Sequence, residues 1–397
     1  MGSNSLKTGR QKYAIIIVGS GPAGLSTALH MTQVAPDLIS QMLILEKAYH
    51  PRHKLCGGGL LPDAEVTLHQ LGLDVTEIPH VDVEWAHFDF DGKGFKMRPD
   101  PGRSFAFRVI RRHEFDAWLA QKARGVGIDI REGVAVKAIH NGPTGVSLET
   151  DAGTFSAQVV VGADGSGSIV RKAVIPHEDT HTARLLEIIT EPRPEYSFHI
   201  QADSYFDFMY LPQGILGYTW DFPALENGKA VRVRGIFDSN VNHRKTDESL
   251  PDALADEFHR HGYELGEYEL EGHPLRWFES KSAFSAPHIL LVGDAAGADA
   301  LFGEGISIAL GYGSIAARSI QAAFAKDDFS FGDYKAAILQ SEMGKALRRR
   351  TWWARFFYSL RWRRIQSLVW HHLGPIIEWI MDHYLIGWAR RQERKTT

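Results

Sequence analysis

Cysteine is all but missing from this chain: Cys56 stands alone in 397 residues. That excludes any intramolecular disulfide, so the fold does not depend on an oxidising compartment. Long apolar runs are missing too, and no stretch reaches the roughly 18 uninterrupted apolar residues that a spanning helix needs. A secretory leader is not expected. Met1 to Lys12 is polar, with Lys7, Arg10 and Lys12, and the apolar run behind it is too short for a signal core and cleavage site. Nor is there an excess of one charge. The formal net charge of −4 argues against general nucleic-acid binding but leaves local patches open. A cytoplasmic location is the default expectation, and the length suits two domains plus an appendage.

What is present begins at Tyr13. Ala14 to Val18 is an unbroken apolar run leading into Gly19-Ser-Gly21-Pro22-Ala23-Gly24 and then helix-forming residues. Such a run suits a parallel strand buried on both faces. Gly19, Gly21 and Gly24 have the spacing G-x-G-x-x-G: the first permits a tight turn, the second lets a pyrophosphate approach the backbone, and the third lets helix and strand pack closely. The helix N-terminus would point its N–H groups at the phosphates. A second apolar strand, Gln41 to Leu45, ends in Glu46-Lys47, 22 residues beyond Gly24. A carboxylate there would accept hydrogen bonds from a ribose diol.

Further along, Lys54-Leu-Cys56-Gly57-Gly-Gly59 is a glycine-rich loop, either flexible or a place where backbone passes close to a large flat ligand. From Val81 to Arg108 the pattern alternates, as in antiparallel strands, with Asp91-Gly92 as a hairpin turn. Helical periodicity is expected from Val109 to Ala123. Ala157 to Gly162 closes on Asp164-Gly165, and Ala286 to Val292 closes on Gly293-Asp294, both in the manner of parallel strands opening onto a crevice. Between them, about Leu185 to Ala283 reads as a second antiparallel sheet carrying the substrate side, with one helix at Ser249 to His261.

These strand ends, with Gly303-Glu304-Gly305 and Ile306 beyond them, resemble the flavoprotein monooxygenase and geranylgeranyl reductase superfamily over residues 13 to 320. The resemblance implies an α/β fold: a glutathione-reductase-type, Rossmann-like FAD-binding domain, an antiparallel substrate sheet and a C-terminal helical segment. Residues 10–80, 106–180 and 284–340 would form the discontinuous FAD domain, 81–105 and 181–283 the sheet domain, and 341–397 the helical segment. By the same resemblance Glu46 would hold the adenosine ribose. Arg112, in the pattern Arg-x-x-Phe-Asp, would contact the cofactor, and Asp294 the ribitol chain. The helix after Gly305 would face the flavin pyrimidine, where its N-terminus would favour negative charge on the reduced ring.

Two stretches resemble the reductase branch: Lys54-Leu-Cys56-Gly57-Gly, and Tyr218-Thr-Trp220-Asp-Phe222-Pro. In that branch the three aromatics line the cavity for an isoprenoid chain, so Tyr218, Trp220 and Phe222 are the expected substrate contacts; packed core aromatics are the alternative. Hydride from reduced FAD would go to one alkene carbon and a proton to the other, with Cys56 as proton donor, as a group tuning the flavin, or as an inert buried thiol. NADPH, ferredoxin or a partner flavin reductase would supply electrons. Flavin-dependent halogenases and hydroxylating monooxygenases carry a related segment and are the competing reading, with Lys54 or another lysine as halogen carrier. A remote alternative is zinc hydrolysis by His177-Glu178-x-x-His181, but that stretch is polar all round and no third ligand stands out, so no metal is expected.

From Leu347 onward arginines interleave with aromatics, and six of the ten tryptophans lie beyond residue 350. Residues 347–389 suit a helix at a membrane interface, a lid on the substrate tunnel, or a helix packed on the core. The expected partners are therefore a hydrophobic small molecule or lipid, a reductase protein and a membrane surface met from the side.

Overall fold

A computed structural model of the chain describes residues 11–97, 105–177, 182–193, 195, 202–242 and 249–396. The strand Gln11–Val18 lies at the centre of an eight-stranded sheet, with Ile15, Ile16 and Ile17 fully buried. It pairs in parallel with Met42–Leu45 on one side and Gly153–Gly162 on the other, and the latter pairs in parallel with Ile289–Leu291. The register sets Val18 opposite both Leu45 and Gly162, and Gly162 opposite Leu291. Four strands therefore end on one line, and the residues that follow them (Gly19, Glu46, Ala163 and Val292) crown the same edge. Ligands of open α/β sheets bind outside such carboxyl ends.

Two helices cover one another beside this edge. Pro22–Val34 follows the glycine turn, and Ile306–Lys326 returns from the far end of the chain. They approach closely enough that a Cβ on Gly313 would stand 2.2 Å from Ser26 Oγ, while that hydroxyl donates to the Leu310 carbonyl at 2.7 Å.

A seven-stranded sheet faces the other side of the crevice, in the order Glu271–Arg276, Thr182–Thr190, Lys229–Asp238, Gly217–Glu226, Ser204–Asp207, Ala86–Phe90, Lys93–Met97. Its neighbours are antiparallel except Ser204–Asp207 against Ala86–Phe90, which run parallel because separate excursions of the chain deliver them. Asp91 and Gly92 turn the last hairpin with φ of 56° and 73°, the positive angles that a two-residue loop matching strand twist requires. A small third sheet joins Gly59–Leu60, Phe107–Ile110 and His80–Val83. It departs from the sequence reading at Val109 and Ile110, which close a strand; the helix starts only at Arg112 and runs to Gly125. Both residues are buried, so pairing in the small sheet overrides their helical spacing.

The C-terminal segment is helical: Glu342–Phe357, Arg363–His372, Gly374–Ile380, a π-turn at Met381–Leu385, and Trp388–Thr396. Its inner face packs on the second sheet. Trp370 is buried and stacks on Phe208 with ring centroids 4.1 Å apart, and His371 Nε2 donates to the Phe90 carbonyl at 2.9 Å. Buried Asp63, on the helix Pro62–Gln70, accepts from the amides of Gly387 at 3.0 Å and Ala389 at 2.8 Å and so anchors the last helix. No helix among the described residues is long and apolar enough to cross a membrane.

Candidate active site

One cavity of about 850 Å³ runs from the glycine turn to the face of the second sheet. It brings together the residues that the sequence singled out. Gly19, Gly21, Pro22, Ala23, Glu46, Lys47, Lys54, Cys56, Gly57, Arg112, Asp164, Tyr218, Trp220, Phe222, Gly293, Asp294, Gly303, Gly305 and Ile306 all line it. Gly24 does not, and its place explains why: a Cβ there would meet the Gly19 carbonyl at 2.1 Å and Ile17 at 3.1 Å, so it serves helix–strand packing. Gly19 has φ +103°, and its added Cβ would strike the Ala163 carbonyl at 2.4 Å. Gly21 differs, with only Arg52 Nη2 near, at 3.4 Å, and space toward the cavity. The helix behind it has no side-chain cap and no acid in its first turn, which leaves its N–H groups for an anion.

The glycines separate two expected effects. Gly24→Ala should destabilise the protein itself, since backbone must move. Gly21→Ala, at φ −78°, should leave thermal stability within about 0.5 kcal/mol. It should still weaken FAD binding by more than about tenfold, the cost of disturbing one charge-assisted hydrogen bond. Melting with and without added FAD measures both; a Gly21→Ala protein with normal FAD affinity would contradict the cradle.

Glu46 is buried at the end of its strand. One of its oxygens accepts from Ser20 N and Ser20 Oγ, both at 2.8 Å, and the other from Ala48 N at 3.0 Å. Burial alone would raise its pKa; Arg52 and these hydrogen bonds outweigh it and hold the carboxyl below the usual range. Arg112 explains the Arg-x-x-Phe-Asp pattern. Its Nε and Nη2 each donate at 2.9 Å to Asp116, one helical turn on, while Phe115 anchors that helix in the core. Asp116 also receives Arg52 Nη2 at 3.0 Å, so one buried carboxylate aligns two cations along the cavity.

Asp294 accepts from Ser166 Oγ at 3.3 Å, and its other oxygen stands 3.7 Å from where a Gly305 Cβ would be. Asp164 behaves differently. Its carboxylate accepts from Ser168 Oγ at 2.5 Å, Ile169 N at 2.7 Å and Val170 N at 3.2 Å, capping the helix Ile169–Val174. It shapes the turn at the cavity wall. Gly303 has φ +64°, and the helix Ile306–Lys326 begins directly after Gly305.

The triple glycine has a local reason. Gly58 has φ +79° and would place a Cβ 2.0 Å from the Ile110 carbonyl; a Gly57 Cβ would meet Trp220 Nε1 at 3.0 Å. The backbone does pass close to flat rings, and those rings include the protein's own. Tyr218, Trp220 and Phe222 alternate along one strand and present one face to the cavity. Asp221, on the opposite face, binds Arg232 at 2.6 Å and Arg234 at 2.8 Å. Tyr218 Oη donates to the Phe302 carbonyl. Trp220 Nε1 is buried with no hydrogen-bond partner among the described residues.

Several lining residues escaped the sequence reading. Phe88, Phe107, Phe206 and Phe237 complete the aromatic chamber. Glu187 is 4% exposed, its Oε1 accepting from Cys56 N at 3.4 Å and lying 4.0 Å from Arg111 Nη1. Burial raises its pKa to about 7, Arg111 opposing. Lys54 Nζ donates to His273 Nε2. Burial lowers Lys54 to about 8, Asp294 resisting, and lowers His273 to about 4 with help from the Lys54 and Arg112 charges. A signal for Glu187 was legible in hindsight: it is the one acid inside the apolar run Leu185 to Ile189.

Of the His-Glu-x-x-His stretch, Glu178 to His181 lie outside the described residues. Among the described residues no group of three His, Cys, Asp or Glu side chains could hold a metal ion.

A glycine turn at the carboxyl ends of a parallel sheet, with a buried acid at the next strand end and an uncapped helix, is the framework of a dinucleotide-dependent oxidoreductase of glutathione-reductase type. Residues 12–299 match the FAD binding domain family, and the chain belongs to that family; FAD is its cofactor. A menaquinone reductase of Mycobacterium tuberculosis is 27% identical over 318 residues, covering 76% of this chain and 75% of that one. A protein of Methanosarcina barkeri is 27% identical over 362 residues, covering 88% of this chain and 84% of its own. Among solved structures, a geranylgeranyl bacteriochlorophyll reductase-like protein of Thermoplasma acidophilum superposes with a TM-score of 0.77 at 20% identity, covering 97% of this chain and all of that one (100%). A flavin-dependent brominase superposes at 0.69 and 17% identity, covering 97% and 99%. At these identities the two structural likenesses concern the fold.

Proposed function

We propose that the protein reduces carbon–carbon double bonds of an isoprenoid or similarly long apolar molecule. The observation that carries this reading is the second half of the cavity, where Tyr218, Trp220, Phe222, Phe206 and Phe107 form an apolar chamber continuous with the FAD cradle. Rigid aromatic faces hold a long apolar chain with little loss of rotamer freedom. The relative named menaquinone reductase supports a reductase over an oxygenase.

The residues present fit FAD: the Gly21 gap and uncapped helix take the pyrophosphate, Glu46 the ribose, Asp294 the ribitol, and the start of the helix after Gly305 the pyrimidine edge. When bound and reduced, FAD supplies the hydride that one alkene carbon receives. The chain's own residues do the rest. The aromatic chamber excludes water and orients the alkene. Glu187, buried beside Cys56, holds the proton for the second carbon, so that hydride and proton together add two hydrogens. Cys56 contributes its backbone N–H, which points at the Glu187 carboxyl.

Anaerobic titration tests this. Dithionite-reduced holoprotein mixed with polyprenyl lipids should regain the absorbance of oxidised flavin, with a lipid product two hydrogens heavier. If every lipid leaves the flavin reduced and only oxygen restores it, giving a hydroxylated or halogenated product, the reading fails.

A further inference from the structure

The outer face of the C-terminal helices takes no part in the site described above. Of the eleven large apolar side chains exposed among the described residues, seven lie between 352 and 384, and Trp352, Trp362 and Trp379 are 58%, 66% and 50% exposed. Scattered exposed apolar residues are ordinary, but a concentration of this kind marks an interaction surface.

The same stretch carries a charge excess that the chain as a whole lacks. Residues 342–372 contain eight Lys and Arg against one acid, although the formal net charge is −4. Some of these cations have internal work: Arg350 is buried, Arg355 pairs with Glu279 at 2.8 Å and Arg363 with Asp91 at 2.5 Å. Arg348 and Arg364 are exposed and have no ion pair or hydrogen bond with any described residue. A groove of about 620 Å³ runs beside Arg348, Arg349, Lys345, Trp352 and Trp353, so cations and indoles line one depression.

Part of this surface adjoins the cavity. Arg349 Nη1 donates to the Tyr384 carbonyl at 3.1 Å, tying the helix Glu342–Phe357 to the π-turn. Trp352 and Phe356 lie three and seven residues beyond Arg349, on the same side of that helix. Met381, Asp382 and Ile386 line the cavity, and Asp382 is exposed, so the cavity meets solvent in the turn flanked by Trp379 and Tyr384.

We propose that this face docks on an anionic phospholipid bilayer, with its tryptophans at headgroup level, its arginines on lipid phosphates and the cavity mouth at Asp382 turned toward the lipid. Tryptophan favours that boundary, and arginine matches phosphate geometry. A second copy of the chain suits the face poorly, since it would set the same basic surface against itself. The proposal does not depend on which reaction the site performs.

Flotation of the FAD-loaded protein tests it, using vesicles of phosphatidylcholine alone or with phosphatidylglycerol as the minority lipid. Binding should be strong to the anionic vesicles, weak to the neutral ones, and lost as salt rises. Each arginine near such a surface contributes about fivefold, so R348E/R364E should bind at least about 25-fold more weakly. W362A/W379A should weaken binding to both vesicle types. All four side chains are exposed, so flavin content and melting temperature should match wild type in both variants. The proposal is overturned if the protein stays with the soluble fraction at low salt, or if both variants bind like wild type. It is overturned equally if the substitutions instead abolish a concentration-dependent dimer or the grip of a protein partner, without any vesicle binding to lose.

Discussion

Replacing Arg350 by methionine is expected to lower the unfolding free energy by about 3–5 kcal/mol, the cost of removing one member of a buried ion cluster. The Arg350 side chain is fully buried, and its Nη1 reaches Asp299 Oδ2 at 3.3 Å and Glu304 Oε2 at 3.1 Å, while Nε donates to the Leu385 carbonyl at 2.8 Å. Those contacts hold the C-terminal helices against the turn that contains Gly303 and Gly305. Without the guanidinium, two carboxylates remain in a place where burial already raises the Asp299 pKa. Protonation of Asp299 relieves part of this. A group whose folded pKa lies above its unfolded value lends stability at low pH and loses it as pH rises through the folded value. The deficit should therefore be smaller near about pH 5 than near about pH 8. Adding Asp299→Asn and Glu304→Gln should recover part of the loss, since no charge is then stranded. Calorimetric melting across pH checks both statements, and a pH-independent deficit would place the cost in packing. Because Glu304 Oε1 also accepts from Ser307 N at 2.7 Å, in the first turn of the helix Ile306–Lys326 at the cavity wall, FAD content should fall with stability.

The glycine-turn half of the cavity was legible in the sequence because its constraints are local. A turn that admits only glycine, an acid at a strand end and an uncapped helix each leave a mark within a few residues, and parallel register then brings the marks to one edge. The Arg-x-x-Phe-Asp pattern is of this kind, an i, i+4 pair with a core anchor between. The aromatic half was legible only in part. Tyr218, Trp220 and Phe222 stand at period two on one strand and could be read together, whereas Phe88, Phe107 and Phe206 reach the same chamber from other strands. Sequence spacing cannot say which strands pair, and the one parallel match in this otherwise antiparallel sheet, Ser204–Asp207 with Ala86–Phe90, joins segments more than a hundred residues apart. Arg350 was hidden for a different reason. It sits in one unbroken run with Arg348 and Arg349, and only tertiary packing tells it apart from them.

Glu187→Gln is expected to slow the alkene half-reaction by about 100-fold or more, the usual contribution of a positioned general acid. FAD binding and lipid binding should change little, since the amide keeps the shape of the carboxyl. The pH profile supplies the stricter test. Four charged or titratable groups face this carboxyl from the surrounding elements: Arg111 at 4.0 Å, Cys56 and Lys54 from the glycine loop, and Glu271, its register partner on the neighbouring strand. Burial dominates and Glu271 adds to it, so the pKa stands at about 7 in spite of Arg111. Only the protonated form can donate. The wild-type rate should be flat below that value and fall tenfold per pH unit well above it, and the Gln variant should lose this limb altogether. Cys56→Ser should keep both the limb and most of the rate, because its backbone N–H, which contacts Glu187, survives the substitution. The opposite pattern, a fast Gln variant with an intact limb and a slow Ser variant, would move the proton to the thiol.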